Sequence, residues 1–364
     1  MKILEINRWL APGGGERFVV DLSNELTRMN GNEVHVCTYI DDDLGQASFY
    51  KKELNEKIHY TNLKGEIGSL NQLLNLIKIF RFVLKIRPDV VHCHLSAFYM
   101  CVLPCLLLRK IKFVNTLHNV AEKNIKPGGE KIIKGFMYRH GMQAVTISPL
   151  CYRSFTEYMK FNNTVMIDNG CRDIVKTNEF ENVFKEICAY KKTANTKVFI
   201  NVARFHPQKN HMLLVKAFNK FVDKGHDAIL LIIGDGDSKI KEDVKKEVNN
   251  DRIYFLGSKT NVPDYLFNSD AFCLSSKWEG APISLLEAGF AGCYPIATPA
   301  GGCVDDIPSN EWGYLSKDFS ETEFLKGLEY FMSNKIPSRE RISSLYKSKF
   351  SMSACAQKYM EIFK

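Results

Sequence analysis

Short runs of apolar residues alternate along this chain with stretches in which apolar side chains recur every three or four positions. The first pattern predicts strands at Lys2–Asn7, Glu33–Tyr39, Ile58–Leu63, Val90–His94, Phe113–His118, Ala144–Ser148 and Val165–Asp168. The second predicts helices between them. Gly15–Met29 is apolar at Phe18, Val19, Leu22 and Leu26, and Leu70–Ile86 is apolar over a wide face. The polar segment Cys171–Thr196 interrupts the alternation and reads as a linker with one helix. A second series of strands follows at Val198–Ala203, Ala228–Ile233, Ile253–Leu256, Ala271–Ser275, Tyr294–Thr298 and Gly313–Ser316. Alternation of this kind argues for parallel sheets covered by helices on both faces. The expectation is an α/β protein of two doubly wound domains, residues 1–175 and 176–345, with 346–364 as a helix packing back toward the first. Ligands of such sheets bind beyond the carboxyl ends of the strands, and two facing sheets would form a cleft there.

Composition agrees with two domains and adds one clue. At 364 residues, 45% hydrophobic and 25% charged, the chain is long enough for two cores and too apolar for disorder. Its 11 cysteines are scattered, with no matched C-x-x-C pairs, so buried reduced thiols are expected rather than disulfides or zinc. The start lacks the apolar core of a signal peptide. The longest apolar run, Phe98–Leu108, is about half of the ~20 residues a membrane span needs. A soluble cytoplasmic protein is expected, with peripheral attachment to the inner face of the membrane as its limit. The formal charge of +8 favours an anionic partner: nucleic acid, membrane surface or a phosphorylated small molecule. Residues 69–140 hold twelve Lys and Arg against Asp89, Glu122 and Glu130, a local +9 that exceeds the whole chain's balance. Beside so many apolar residues, this cluster suits an anionic membrane surface, and no nucleic-acid partner is expected.

The residues that follow strands carry the chemistry. Pro12-Gly13-Gly14-Gly15-Glu16 lies between the first strand and its helix, where glycines admit a close ligand and a helix start favours an anion. It is not the dinucleotide fingerprint, because the third glycine of G-x-G-x-x-G would fall on Phe18. A plain flexible turn is the competing explanation. In NVARFHPQKN, Arg204 and Lys209 offer a planar fork and a point charge, a pair suited to a diphosphate, against the plainer view of two solvated cations. In EGAPISLLEAGFAG, Pro282 suits the first helical position, Gly292 the helix end, and Glu287 sits among apolar neighbours. His92 and His94 share one side of their strand and His118 ends the next, and the H-x-H offers no evident carboxylate ligand beside it. Satisfied buried histidines are the ordinary alternative to a metal. The acidic runs Asp41-Asp42-Asp43 and Asp235-Gly236-Asp237 are possible divalent-cation pairs, but both stand in turn contexts.

Taken in order, these segments resemble the retaining glycosyltransferases of GT-B fold, family 4. The spacing Glu279-x7-Glu287 is similar to that family's E-x7-E motif. GGGERFVVDLSNEL, PDVVHCH, NTLHN, NVARFHPQKN, LLIIGDGD and IYFLG follow in the family's order. The resemblance implies two Rossmann-like domains and a nucleotide-sugar donor, a UDP-sugar ahead of a GDP-sugar, with neither metal nor cofactor. It implies that Arg204 and Lys209 bind the diphosphate and Glu287 the ribose hydroxyls. Glu279 would contact the transferred sugar, with the backbone of Gly280, Ala281, Pro282, Ile283 and Ser284 around it. Ser258–Val262 would hold the base, and Gly14 and Gly15 would approach the phosphates from the other domain. His118 would lie near the sugar and the acceptor, with His94 and Asn119 on the acceptor side. Ala281 departs mildly from the family, where a bulkier residue is frequent, and this bears on sugar preference. The implied acceptor is a glycan or a lipid-diphosphate-linked glycan of bacterial surface polysaccharide or lipopolysaccharide. A sugar-nucleotide epimerase or phosphorylase of the same plan, and a non-enzymatic basic scaffold, are the alternatives.

Overall fold

The computed structural model describes residues 1–43, 46–333 and 336–364. The chain divides into two units, Met1–Arg172 with Met352–Lys364, and Asp173–Ser351. The first holds strands β1 (Lys2–Asn7), β2 (Glu33–Ile40), β3 (His59–Gly65), β4 (Val90–His94), β5 (Lys112–Leu117), β6 (Met142–Thr146) and β7 (Thr164–Met166). They form one sheet in the order β3-β2-β1-β4-β5-β6-β7, every pair parallel. The second unit holds β8 (Lys197–Val202), β9 (Ala228–Ile233), β10 (Ile253–Gly257), β11 (Ala271–Leu274), β12 (Tyr294–Ala297) and β13 (Tyr314–Leu315). Their order is β10-β9-β8-β11-β12-β13, again all parallel. Both sheets reverse direction of growth beside their first strand, between β1 and β4 and between β8 and β11. That is where a doubly wound sheet opens a crevice for ligand. The central strands are almost entirely buried, which is why they read as continuous apolar runs rather than alternating ones.

Three details differ from expectation. The polar stretch after Cys171, expected as a linker with one helix, belongs to the second unit from Asp173 onward. Its helix Phe180–Tyr190 packs on the second unit, with Tyr265 donating to Glu186 at 2.7 Å, and Thr177 is held by the buried carboxylate of Asp264. The chain changes units at Arg172/Asp173, near the expected 175, and again at Ser351/Met352 rather than 346. Here extended Ser351 separates the helix Arg339–Phe350, part of the second unit, from Met352–Phe363, part of the first. The run Phe98–Leu108 is core: Phe98, Met100, Cys101 and Cys105 are buried, and Leu107 is exposed. Ten of the eleven thiols are buried and none is bridged, Cys188 alone being exposed.

The last helix is built into the first unit. Met352 N donates to Cys171 O at 3.0 Å, Tyr359 and Phe363 are buried, and Tyr359 OH lies 2.9 Å from Thr116 Oγ1 on β5. Tyr359→Ala, which removes a fully buried ring, should destabilise this unit by about 3–5 kcal/mol in urea unfolding. Tyr359→Phe, which removes only the hydroxyl, should cost about 1 kcal/mol. Equal losses for the two variants would contradict a packing role for the ring.

Candidate functional site

In the second unit the chain leaves β8 at Val202 and enters the loop 203–210. The glycine-rich turn after β9 fixes that loop. Phe205 and Gly236 form a parallel bridge, and Gly234, at φ +139°, stands where a Cβ would come within 2.0 Å of Ala203 O. The acids of this turn serve their own surroundings. Asp237 accepts from Ile240 N at 3.0 Å, capping the helix Ser238–Lys246, and Asp235 pairs with Lys241 at 2.9 Å. Asn210 takes a left-handed φ of +49° and turns the chain into the helix His211–Asp223.

A second loop, after β11, crosses the first. Ser275 Oγ donates to Lys209 O and Asn210 O at 3.0 and 3.1 Å. Lys277 N donates to Gln208 O at 2.7 Å, and Gln208 Nε2 to Trp278 O at 2.8 Å. At the crossing sits Glu279, 5% exposed. Its Oε1 receives Lys209 Nζ and Ser276 Oγ, each at 2.6 Å, and its Oε2 receives Gln208 Nε2 at 3.3 Å. The backbone of Glu279 is pinned as well: Gly301, at φ +59°, approaches so closely that a Cβ would lie 2.0 Å from Glu279 O. Gly280, Ala281 and Pro282 lead into the helix Ile283–Phe290. Pro282 is its N-cap, one position earlier than expected, and Gly292 at φ +78° follows its end. Glu287 lies in the second turn, nearly buried, and Ser284 and Ala281 are half-buried.

The remaining second-unit residues lie at other strand ends and in the first loop. Arg204 is exposed just past β8. Partial burial and the positive charges of Arg204 and Lys209 together lower His206 below its usual pKa. Ser258 is exposed immediately after β10, and Val262 opens the short helix Val262–Phe267. His211 was not expected here. Its ring stacks on Phe205 at 4.3 Å, and burial, aided by Lys209, holds it at about 4.

In the first unit, β1, β4 and β5 end on a chain of polar contacts. Glu5, wholly buried on β1, faces His92 and His94 across the β1–β4 register. Its Oε1 lies 3.1 Å from His92 Nδ1 and its Oε2 2.7 Å from His94 Nε2. The carboxylate that meets H-x-H thus arrives from a neighbouring strand. His94 Nδ1 lies 3.1 Å from His118 Nε2, and His92 Nε2 lies 2.8 Å from Thr116 Oγ1. Burial alone would raise Glu5, but the two imidazoles pull it down to about 2. Burial and the neighbouring imidazoles hold His94 near 4 and His118 well below the ordinary value. His94 is wholly buried with both ring nitrogens engaged, so it reaches a ligand only through half-buried His118. Asn119 turns its Oδ1 onto Val120 N at 2.9 Å. Gly14 and Gly15 open the helix Gly14–Arg28, and a Cβ at Gly15 would press on Leu95 at 3.1 Å. Leu95, just past His94, is itself left-handed at φ +51°.

Two family models cover nearly all of the chain: Glycosyltransferase Family 4 over residues 12–172 and Glycosyl transferases group 1 over residues 184–348. The chain belongs to the family 4 glycosyltransferases of GT-B fold. Among its relatives, a glycosyltransferase of Methanocaldococcus jannaschii is 28% identical over 265 residues, 66% of this chain and 65% of that protein. The UDP-Gal:alpha-D-GlcNAc-diphosphoundecaprenol alpha-1,3-galactosyltransferase of Escherichia coli is 25% identical over 331 residues, 84% of this chain and 82% of that one. Anabaena HepE, solved with UDP and glucose, shares the fold at a TM-score of 0.83 and 17% identity, covering 100% of this chain and 99% of its own. Within this family membership, the spacing of Glu279 and Glu287 acquires a geometric reason. The first carboxylate sits in the loop crossing and the second on the helix that leaves it.

The buried imidazoles set a pH dependence. His94 and His211, each held near 4, take up protons more readily unfolded, where the value is 6.5. Stability is therefore lost as pH falls from 6.5 toward 4. Glu5, lowered from 4.5 to about 2, contributes stability above 4.5 that disappears as pH falls toward 2. The thermal midpoint should be level above pH 7 and fall steadily below 6.5. An unchanged midpoint between pH 7 and 5 would contradict neutral buried imidazoles.

Proposed function

We propose that this glycosyltransferase transfers a sugar, with retention of its anomeric configuration, from a UDP-sugar to a glycan or lipid-diphosphate-linked acceptor. The supporting observation is the crossing of two loops at the carboxyl ends of β8 and β11. There Lys209, Ser276 and Gln208 converge on Glu279 beside exposed Arg204, with Glu287 on the helix beyond. The Escherichia coli relative, whose name specifies a UDP-galactose donor and a diphosphoundecaprenol acceptor, supports this choice of substrates, as does the UDP in the Anabaena structure. By the same family relation, the role is assembly of surface polysaccharide or lipopolysaccharide.

In this mechanism the bond from the anomeric carbon to the diphosphate oxygen breaks, and a bond to the acceptor oxygen forms on the same face. The acceptor's proton passes to the departing phosphate. Negative charge grows on the diphosphate, and Arg204, Lys209 and the start of the helix Ile283–Phe290 stabilise it. Lys209 is partly exposed, so its ammonium can be shared between Glu279 and an incoming phosphate. These positive groups take the part a divalent cation would otherwise play, and metal-independent transfer is proposed. The engaged acids support this: Asp42 is held by Tyr60 at 2.6 Å, Asn62 at 2.9 Å and Lys51 at 3.0 Å, and Asp235 by Lys241. Ser258 and Val262 are assigned to the base, Glu287 to the ribose, and His118 to the sugar and acceptor.

Arg204→Ala should lower turnover about 100-fold, the scale of losing one donor to developing charge. Glu287→Ala should mainly weaken donor binding. Calorimetry with UDP- and GDP-sugars in EDTA, followed by NMR of the product anomer, checks the donor, the metal and the stereochemistry. Absence of binding by any nucleotide sugar, or an inverted product, refutes the reading.

We also propose that the first unit rests on an anionic membrane surface. Among the described residues, no helix is long and apolar enough to cross a membrane. Two helices instead present apolar stripes outward. On Ser69–Ile86, Asn75, Ile79, Phe82 and Val83 are buried, while Leu73, Ile77 and Leu84 line the opposite side beside Lys78, Arg81 and Lys85. On Gly129–Arg139, Ile132, Ile133 and Phe136 are exposed. Lys134 is not part of this surface, being buried with its Nζ on Asn124 O. An apolar stripe bordered by cations is the pattern of an interfacial helix. Co-sedimentation with anionic vesicles should be strong at low salt, and Leu73→Glu with Ile132→Glu should abolish it. Equal binding by that double variant would refute the assignment.

A further inference from the structure

The hydrogen bonds in the first unit run in one direction. Glu5 is acceptor-only when ionised, so His94 must present N–H at Nε2 to it. Burial holds His94 near 4, so at pH 7 it is neutral and its Nδ1 is bare. The contact of 3.1 Å with His118 is then a bond in which His118 Nε2 donates. That leaves His118 Nδ1 without a proton, and no protein group in the described residues bonds to it. The arrangement is packed from every side. Phe18 stands edge-on to His118 at 5.4 Å, Tyr359 stands over His92 at 5.0 Å, and His92 occupies the other oxygen of Glu5. The charged or titratable groups facing the chain are Glu5, His92, His94 and Tyr359.

We propose that Glu5 is a positioning residue which, acting through His94, fixes His118 as a hydrogen-bond acceptor at Nδ1 for a sugar hydroxyl. The recognition of a hydroxyl rests on the glycosyl-transfer reading; the fixed tautomer does not. A carboxylate at the head of the chain removes the choice that a free imidazole has between its two neutral forms. His118 then meets a hydroxyl as acceptor at every pH above its lowered titration, and it stays uncharged beside the oxocarbenium-like carbon. Glu5 has no exposed surface, so it touches no substrate and acts only along the chain.

The test is 15N NMR of protein labelled at histidine, with the His118 signals assigned by their loss in His118→Asn. The wild-type protein at pH 7 should show a bare Nδ1 and a protonated Nε2, both at their limiting shifts. A protonated Nδ1 or averaged shifts would overturn the proposal without any variant. In Glu5→Leu, checked for folding by near-ultraviolet circular dichroism, the shifts should move to the averaged values of two exchanging tautomers. Unchanged limiting shifts in that folded variant would also overturn it. Turnover of Glu5→Leu should fall at least about tenfold with the affinity for UDP itself unchanged, since His118 is assigned to the sugar and acceptor and not to the nucleotide. If the NMR result holds and no nucleotide sugar binds, the transfer reading fails while the tautomer lock stands.

Discussion

A carboxylate taken out of water must be surrounded by donors, and both units of this protein are organised by one such group at the end of a central strand. Breaking a buried charged pair costs about 3–5 kcal/mol because it strands the remaining charge, although an intact pair adds little net stability. Burying Glu279 therefore makes sense as specification rather than as a source of stability. To supply its donors, the loops after β8 and β11 must cross, which brings Gln208, Lys209 and Ser276 to one point. The crossing in turn requires the left-handed Asn210 and the close approach of Gly301. The glycine turn after β9 then braces the first loop from behind. A local electrostatic demand thus accounts for motifs nearly a hundred residues apart.

Much of this was legible in the sequence. Strand positions at Lys2–Asn7, Val90–His94 and Ala228–Ile233 coincide with the observed ones, because a strand covered on both faces is a short apolar run bounded by turn residues. Lys209, Arg204 and Glu279 stood out because polar residues after apolar strands are where a doubly wound sheet meets its ligands, and Glu287 because it sits among apolar neighbours. Glu5 did not stand out, although it is the lone acid in the strand KILEIN. Its meaning depends on β1 lying beside β4, and adjacency between Glu5 and His92, 87 residues apart, is a property of sheet order. The same limit hid Tyr359, which reaches Thr116 from the far end of the chain. The cation count of residues 69–140 was readable, but the burial of Lys134 and of Phe98, Met100, Cys101 and Cys105 was not. Those depend on which face of each segment meets the sheet.

The two carboxylates differ in what their partners allow. Glu279 is paired with an ammonium that keeps 19% of its side chain exposed, so an anion can approach Lys209 and share it. The pair can respond to a ligand directly, by redistribution of one positive charge. Glu5 has no exposed surface, and the imidazole that joins it to His118 is neutral, so no ion can exchange with it. Its influence is carried by the placement of protons rather than by field strength. A buried acid with a mobile cation suits a site where charge develops and must be met. A buried acid with fixed imidazoles suits a site where a neutral hydroxyl must be oriented without adding charge. The transfer proposed above would make both demands, the first on a departing diphosphate and the second on the sugar and acceptor. The division of labour follows from which polar groups each sheet order can place beside its buried carboxylate.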